Sequence, residues 1–167
     1  DFSDATVHYL RPMEPIKNGI GVASFEGAAF ALALSSGAVL ATQGGAINAG
    51  GSTLWVGPKD GRALLSLDLK SDSTITAGLA FLDQKPLEIL KDGALPVTLA
   101  DGRAKLNVRL DVPLVKDRSS DPMTFDADGA LSNVSSDVLV VGRHLFADQL
   151  NINVSPQSIE IKGQAKV

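Results

Sequence analysis

Apolar and polar residues alternate along much of this chain of 167 residues. In residues 106–114 every second residue is apolar, and polar Asn107, Arg109 and Asp111 fall between them. Residues 150–154 and 159–161 repeat the pattern, and it resumes at Ala165 and Val167. A period of two places alternate side chains on opposite faces of a strand. Each segment therefore predicts a half-buried β-strand.

Turn-forming pairs separate these segments at short intervals. They include Asn18-Gly19, Ser36-Gly37, Asp60-Gly61, Asp101-Gly102 and Asp128-Gly129, with glycine pairs at 44–45 and 50–51. Many short strands joined by such turns are typical of antiparallel hairpins. We therefore predict a mainly antiparallel β fold. Its further strands are expected at residues 5–10, 21–25, 30–34, 39–43, 53–56, 63–69 and 124–131.

One region, residues 73–92, departs from the period of two. Ile75, Leu79 and Leu82 have the i, i+4, i+7 spacing of a helix stripe. This predicts a short helical insert that covers part of the sheet. Ser71, Asp72 and Ser73 offer side-chain oxygens that could cap its N-terminus. Pro86 would either end this helix or stand in the first turn of a second short helix lined by Leu87, Ile89 and Leu90. Gly93 is the expected C′ residue at the end of the insert.

Composition indicates one ordered domain over residues 1–167. Hydrophobic residues make up 44% and charged residues 20%, with a net charge of −4. Acidic and basic residues are interspersed, which argues against a basic face for nucleic acid. The absence of cysteine excludes disulfides and thiolate chemistry. Both ends run directly into alternating segments, so we expect a fragment of a longer chain.

No motif in the chain predicts catalysis, a metal or a cofactor. His8 and His144 are the only histidines, and neither shows a partner in the sequence or lies near a G-x-S-x-G motif. Residues 126–129 resemble part of a calcium loop, but Thr124 and Ser135 stand where carboxylates belong, so a hairpin turn is the better interpretation. The glycine pairs lack a following Lys and Ser or Thr, so a phosphate site is not supported. We expect that the chain is not an enzyme.

The order of the segments resembles the AsmA-like repeats of large Gram-negative envelope proteins, in particular the DUF3971 domain of YhdP-type proteins. The resemblance covers nearly the whole chain through loose strand-and-turn patterns. It is carried by residues 6–16, a glycine-opened strand ending at Phe25, residues 30–37, a helical segment carrying residues 82–87, residues 102–114 with Val112-Pro113-Leu114 at their end, residues 129–134 and residues 150–167.

This resemblance implies a periplasmic module of a protein anchored in the inner membrane. Such modules form β-sheet grooves along which phospholipid acyl chains pass toward the outer membrane. The partners implied are acyl chains and adjacent modules of the same polypeptide, and the family has no catalytic residues to carry over. The residues expected to contact lipid are Leu106, Val108, Leu110, Val112, Leu150, Ile152 and Val154.

The alternation itself leaves two architectures and two functions open. A curved sheet with an uncovered apolar face is a groove for hydrocarbon chains, whereas the same pattern also suits a closed sandwich. A groove favours lipid transport, and a closed core favours a structural or scaffolding domain that binds other envelope proteins through its sheet edges. Whether the apolar faces of residues 106–114 and 150–154 are covered distinguishes the lipid groove from the closed scaffold.

Overall fold

A computed structural model describes residues 1–88, 90, 96–115 and 122–167 of the chain. Within these residues there are ten strands and one helix. In chain order they are β1 (Phe2–Val7), β2 (Ile16–Glu26), β3 (Ala29–Leu40), β4 (Ala46–Asn48), β5 (Thr53–Lys59), β6 (Arg62–Thr74), α1 (Ile75–Leu82), β7 (Asp101–Pro113), β8 (Thr124–Ser136), β9 (Leu145–Ser155) and β10 (Ser158–Gly163).

All ten strands belong to one antiparallel sheet, which confirms the predicted fold class. The order is β1-β2-β3-β4-β6-β7-β8-β9-β10, and β5 lies beside β4 between β3 and β6. Each strand from β6 onward pairs with the next strand along the chain. This meander leaves β1 and β10 at the two edges of the sheet.

The register brings apolar side chains into rows across one face, here called the inner face. One row runs through five adjacent strands, and its members are Leu32, Leu54, Leu67, Leu110 and Phe125. All five are buried. Because directly opposed residues share a face, the intervening polar residues lie together on the outer face. The alternation seen in the sequence is therefore the division between these two faces.

The helix begins later and ends earlier than predicted. Thr74 is its N-cap, and the Thr74 hydroxyl accepts a hydrogen bond of 3.1 Å from the Ala77 amide. The prediction of an N-cap within residues 71–73 was wrong, because those residues continue β6 in pairing with β7. The helix ends at Leu82 with Asp83 as C-cap, and residues 85–87 form turns rather than a second helix. Ile89 and Gly93 lie outside the described residues.

The turn predictions were correct at some positions, including Gly50-Gly51, and wrong where the pair lies inside a strand. Asp60 and Gly61 join β5 to β6, both with positive φ, as the predicted hairpin requires. Asp128-Gly129 was wrongly predicted as a turn, since both residues lie within β8 and pair with β7. Residues 18–19 and 36–37 also lie inside strands, next to shifts in register between β2 and β3. Polar and glycine residues at these positions mark irregularities of the strand rather than its ends. The strand predicted at residues 39–43 ends at Leu40.

The core lies on the inner face and is covered from one side by α1. Seven of the eight residues of α1 are buried, and the helix contacts β4, β6 and β7. The connection between β1 and β2 adds to the cover, because Tyr9 and Met13 belong to the same buried cluster. The Tyr9 hydroxyl donates to the Glu14 carbonyl oxygen at 2.9 Å, and the Glu14 amide donates to Gln84 Oε1 at 3.5 Å. The second of these contacts joins the connection to the segment that follows α1.

Candidate functional site: an apolar cavity beneath the helix

The seven residues predicted to contact lipid all lie on the inner face, and all are buried. None is more than 7% exposed. The residues are Leu106, Val108, Leu110 and Val112 on β7 and Leu150, Ile152 and Val154 on β9. In this structure the inner face is therefore covered along these strands and is not an open groove there.

Three of the seven line a cavity of about 170 Å³ between the sheet and α1. These three are Leu106, Leu150 and Ile152. The helix contributes Ile75, Gly78, Leu79 and Leu82, and the rest of the wall comes from Leu90, Leu99, Ala100, Ala104, Leu131, Val134, Leu139, Ile159 and Ile161. This lining contains no charged or polar side chain from the described residues. We call this site the apolar cavity.

The apolar cavity opens where its lining residues are exposed to solvent. Leu139, in the connection between β8 and β9, is 37% exposed, and Ile161 on the edge strand β10 is 43% exposed. The opposite wall is closed, since Leu79, Leu82 and Leu106 are buried. A ligand would therefore enter between Leu139 and the edge of the sheet.

The other four predicted residues, Val108, Leu110, Val112 and Val154, pack in the core outside the cavity lining. Leu110 stands opposite Leu67 on β6 and Phe125 on β8, and Val108 stands opposite Leu69 and Ala127. The structure thus divides one predicted set of residues into a cavity wall and a packed core.

A second site, mostly apolar, lies on the inner face in the N-terminal half of the sheet. It is an open depression of about 400 Å³ lined by Phe2, Ala5, Thr6, Val7, His8, Phe30, Leu32, Leu54, Val56 and Leu65. We call it the trough. Phe30 also stacks at a tilted angle on Phe25, with ring centroids 4.9 Å apart, and Phe25 is 81% exposed. The alternation at residues 30–34 and 53–56 predicted the strands that line the trough, but no ligand role was predicted for them.

The outer face carries a charged network behind the packed core. Arg109 Nε donates to Asp126 Oδ2 at 2.9 Å, and its terminal nitrogen bonds both Asp126 and Asp128. These hydrogen bonds, Asp126 first, raise the pKa of the Arg109 guanidinium above its ordinary value. Asp126 and Asp128 are therefore cross-strand partners of an arginine rather than members of a hairpin turn. Asp72 forms ion pairs with Arg103 and Lys105 on the same face.

His144 has two partners that the sequence did not reveal. Its Nδ1 lies 2.8 Å from Asp137 Oδ1, and its Nε2 lies 3.2 Å from Ser135 Oγ. The expectation that neither histidine has a partner was therefore wrong for His144. The three residues are near in sequence, but only the turn between β8 and β9 shows that they meet. His8 lines the trough.

Comparisons of the chain with protein-family models, with curated proteins and with solved structures found no match in any of the three. Among the described residues, no helix has the length and apolar character needed to cross a membrane. The same residues contain no group of three or more histidine, cysteine or acidic side chains suited to a metal ion.

Proposed function

We propose that this chain is a module of an AsmA-like envelope protein and that it binds phospholipid acyl chains in the apolar cavity. On this proposal the chain lies in the periplasm, in a protein anchored in the inner membrane through another part of the polypeptide. It contributes to phospholipid transport between the inner and outer membranes, and its role at the cavity is binding, without a cofactor or a catalytic step. The observation that carries the proposal is a lining that is apolar at every described residue, with an opening at Leu139 and Ile161.

The size of the cavity supports an acyl chain end as its occupant. Dry apolar cavities of about 150 Å³ bind ligands the size of benzene, and this cavity measures about 170 Å³. A few terminal carbons of one acyl chain fill such a volume, and each methylene group removed from water contributes about 0.8 kcal/mol. Because the described residues give the lining no polar side chain, a headgroup would stay outside the opening, where water solvates it.

The trough supplies a second surface for the same kind of ligand. It lies on the inner face of the same sheet, and exposed Phe25 extends the apolar surface to the tip of the β2–β3 hairpin. An adjacent module of the same polypeptide would continue this surface. Buried Leu67 and Leu110 separate the trough from the cavity. Passage of an acyl chain along the whole face therefore requires the packed core between them to open.

A cavity-filling substitution tests the proposal directly. Ala100 is buried in the cavity wall, so Ala100→Leu places three more carbons in the space that an acyl chain would occupy. Excluding about three methylene groups costs about 2.4 kcal/mol, which weakens binding roughly 50-fold. The measurement is photo-crosslinking of the purified protein to a phospholipid carrying a diazirine near the end of one acyl chain, titrated over lipid concentration. Crosslinks are expected on peptides containing Leu79 or Ile152.

The matched control is Ala130→Leu. Ala130 is half-buried on β8 and lies opposite Lys105 and Asn151, on the outer face. The chemical change is the same, but the cavity is untouched, so crosslinking should equal that of the unsubstituted chain. Equal crosslinking in Ala100→Leu, with that variant folded, would rule out the cavity as the lipid site. The absence of crosslinks in the unsubstituted protein would oppose lipid binding by this chain altogether.

A scaffolding role is the second candidate, and the burial of all seven predicted contact residues favours it. A packed inner face leaves the free edges of β1 and β10 as the surfaces for a partner strand. On this alternative, native mass spectrometry of the protein from bacterial cells shows no bound phospholipid. A proline in β10 would then weaken association with the neighbouring module. Ala100→Leu would leave that association unchanged.

A further inference from the structure

Ser135, His144 and Asp137 form a chain of two hydrogen bonds at the turn between β8 and β9. Ser135 Oγ lies 3.2 Å from His144 Nε2, and His144 Nδ1 lies 2.8 Å from Asp137 Oδ1. This is the geometry of an activated nucleophile: a hydroxyl beside a base, with the base oriented by a third group. We propose that Ser135 is a nucleophile toward short-chain carboxylic esters, with His144 as its general base and Asp137 as the residue that positions His144.

The contact with Asp137 determines which nitrogen of His144 can act as a base. A carboxylate only accepts hydrogen bonds, so the neutral imidazole carries its proton on Nδ1 and donates it to Asp137. Nε2 is then unprotonated and accepts the hydroxyl proton of Ser135. The Ser135 hydroxyl is thus aligned to lose its proton to His144 as its oxygen attacks a carbonyl carbon.

The backbone around these residues is held by the neighbouring Ser136. Ser136 is buried, and its hydroxyl donates to the Leu99 carbonyl oxygen. The same oxygen accepts hydrogen bonds of 3.1 Å from the amides of Val138 and Leu139. These bonds fix the chain on both sides of Asp137. These bonds also occupy two nearby backbone amides that could otherwise stabilise an oxyanion, so we expect ester hydrolysis to be slow. The acylated serine is therefore the species to detect.

Phe146 on β9 is the direct cross-strand partner of Ser135, so the two side chains lie on the same face of the sheet, and Phe146 is 39% exposed. A short acyl group on Ser135 would pack on this exposed ring, whereas a long one would extend past it into water. This is the reason for proposing esters of short acids.

The reaction balances with water as the second reactant. Ser135 Oγ bonds to the ester carbonyl carbon while its proton passes to His144 Nε2. The carbon–oxygen bond to the leaving alcohol then breaks, and that alcohol takes the proton from His144. Water attacks the acyl-serine with His144 again accepting a proton, and this proton returns to Ser135 as the carboxylic acid leaves. One ester and one water give one acid and one alcohol.

The test is acetylation of the full chain by p-nitrophenyl acetate, followed by peptide mass mapping over time. We expect one acetyl group on Ser135, absent in Ser135→Ala. His144→Gln keeps a polar side chain without the base and should slow acetylation of this serine roughly 100-fold or more. Asp137→Asn should slow it less, and Asp137→Glu should restore the rate. If Asp137 had only a structural role, Asp137→Asn and Asp137→Glu proteins with equal melting temperatures would be acetylated at the same rate.

Ser158→Ala provides the matched control, because Ser158 is exposed and its hydroxyl lies 3.2 Å from Ser155 Oγ. This variant should leave acetylation of Ser135 unchanged. The side chains of His144 and Asp137 are 56% and 83% exposed, so their variants should fold, and melting curves check this. Equal acetylation of Ser135 in the unsubstituted chain and in His144→Gln would overturn the proposal, as would labelling confined to lysines. Neither outcome bears on lipid crosslinking at the apolar cavity.

Discussion

The two ends of the inner face have the same sequence pattern and different surroundings. In the trough, Phe30 and Val56 are half-buried and open to solvent on one side. Between the trough and the apolar cavity, Leu67, Val108 and Leu110 are buried. Both regions are apolar, but α1 packs on β4, β6 and β7, whereas the trough is lined mainly by β1, β3 and β5. Alternation therefore identifies the apolar face, and the elements packed on that face decide whether a ligand can reach it.

The largest effect is expected from placing a charge in each region. Leu110→Asp buries an unpaired carboxylate at a site 3% exposed and should cost about 4 kcal/mol or more, enough to unfold much of the protein. Val56→Asp makes the same kind of change where water can reach the carboxylate, and should cost about 1 kcal/mol. Urea unfolding followed by circular dichroism measures both. If Leu110→Asp is as stable as Val56→Asp, the inner face at β7 is open.

A pair of glycines tests the docking of α1, which distinguishes the two regions. A Cβ on Gly44 would lie 2.4 Å from the backbone nitrogen of Ala77, and φ there is +82°. Gly45 has φ of +96°, but its Cβ would meet nothing within 4 Å. Gly44→Ala should therefore cost about 2–3 kcal/mol, and Gly45→Ala about 1 kcal/mol from backbone strain alone. Equal losses, measured by thermal melting, would indicate that α1 does not pack on this loop.

The cover formed by the β1–β2 connection should respond to alkaline pH. Burial, and secondarily the charge of Glu14, raises the pKa of the Tyr9 hydroxyl well above its ordinary value of about 10. Above pH 10 the unfolded chain loses this proton while the folded chain keeps it, so stability is full below pH 10 and falls as the pH rises further. Tyr9→Phe should lose about 1 kcal/mol of stability at neutral pH with the hydrogen bond to Glu14, and should lack this alkaline component.

The measurement for Tyr9 is a series of melting curves from pH 8 to pH 11 on both proteins. Lysines titrate in the same range in each, so the difference between the two curves isolates the tyrosine. A difference that stays constant across the series would place the Tyr9 hydroxyl in solvent and remove this connection from the cover.

A small gain is expected from Gly78→Ala in the helix itself. The added methyl group would lie 3.5 Å from Ser73 Oγ and 3.6 Å from Leu106 Cδ1, which are ordinary contact distances. Alanine is favoured over glycine in a helix interior by about 0.5–1 kcal/mol. The melting temperature should therefore rise, although the methyl group enters the apolar cavity. A fall would indicate that the cavity wall is already tightly packed at this position.

The smallest effect should come from the outer face. Arg109→Gln removes an exposed network with Asp126 and Asp128 on the reverse of the packed core. Exposed ion pairs contribute little and are screened by salt. The melting temperature should change only slightly, and less in 0.5 M salt than in low salt. A large loss that persists in salt would mean that the outer face, and not only the inner one, holds these strands together.

Much of the fold followed from the sequence because alternation is local. Residues 106–114 and 150–154 were predicted as strands with Leu106, Val108 and Ile152 on one face, and the structure has them so, except that β7 ends at Pro113. The wrong predictions lie where residue types typical of turns or helix caps occur inside a paired strand. Asp128 and Gly129 suit a turn, yet pairing with β7 and β9 keeps them in β8. Residues 71–73 suit an N-cap, yet eleven residues of pairing between β6 and β7 extend the strand to Thr74.

By itself the sequence determined which residues belong to the apolar face, because a period of two assigns each side chain to a face whatever the strand's neighbours are. Only the tertiary structure decided which part of that face is packed, which part encloses the apolar cavity and which part stays open as the trough. Those outcomes depend on how α1, which follows β6 directly in the chain, packs back on β4, β6 and β7. In the same way His144 carries no visible partner in the sequence, and the turn between β8 and β9 brings Ser135 and Asp137 to its two nitrogens.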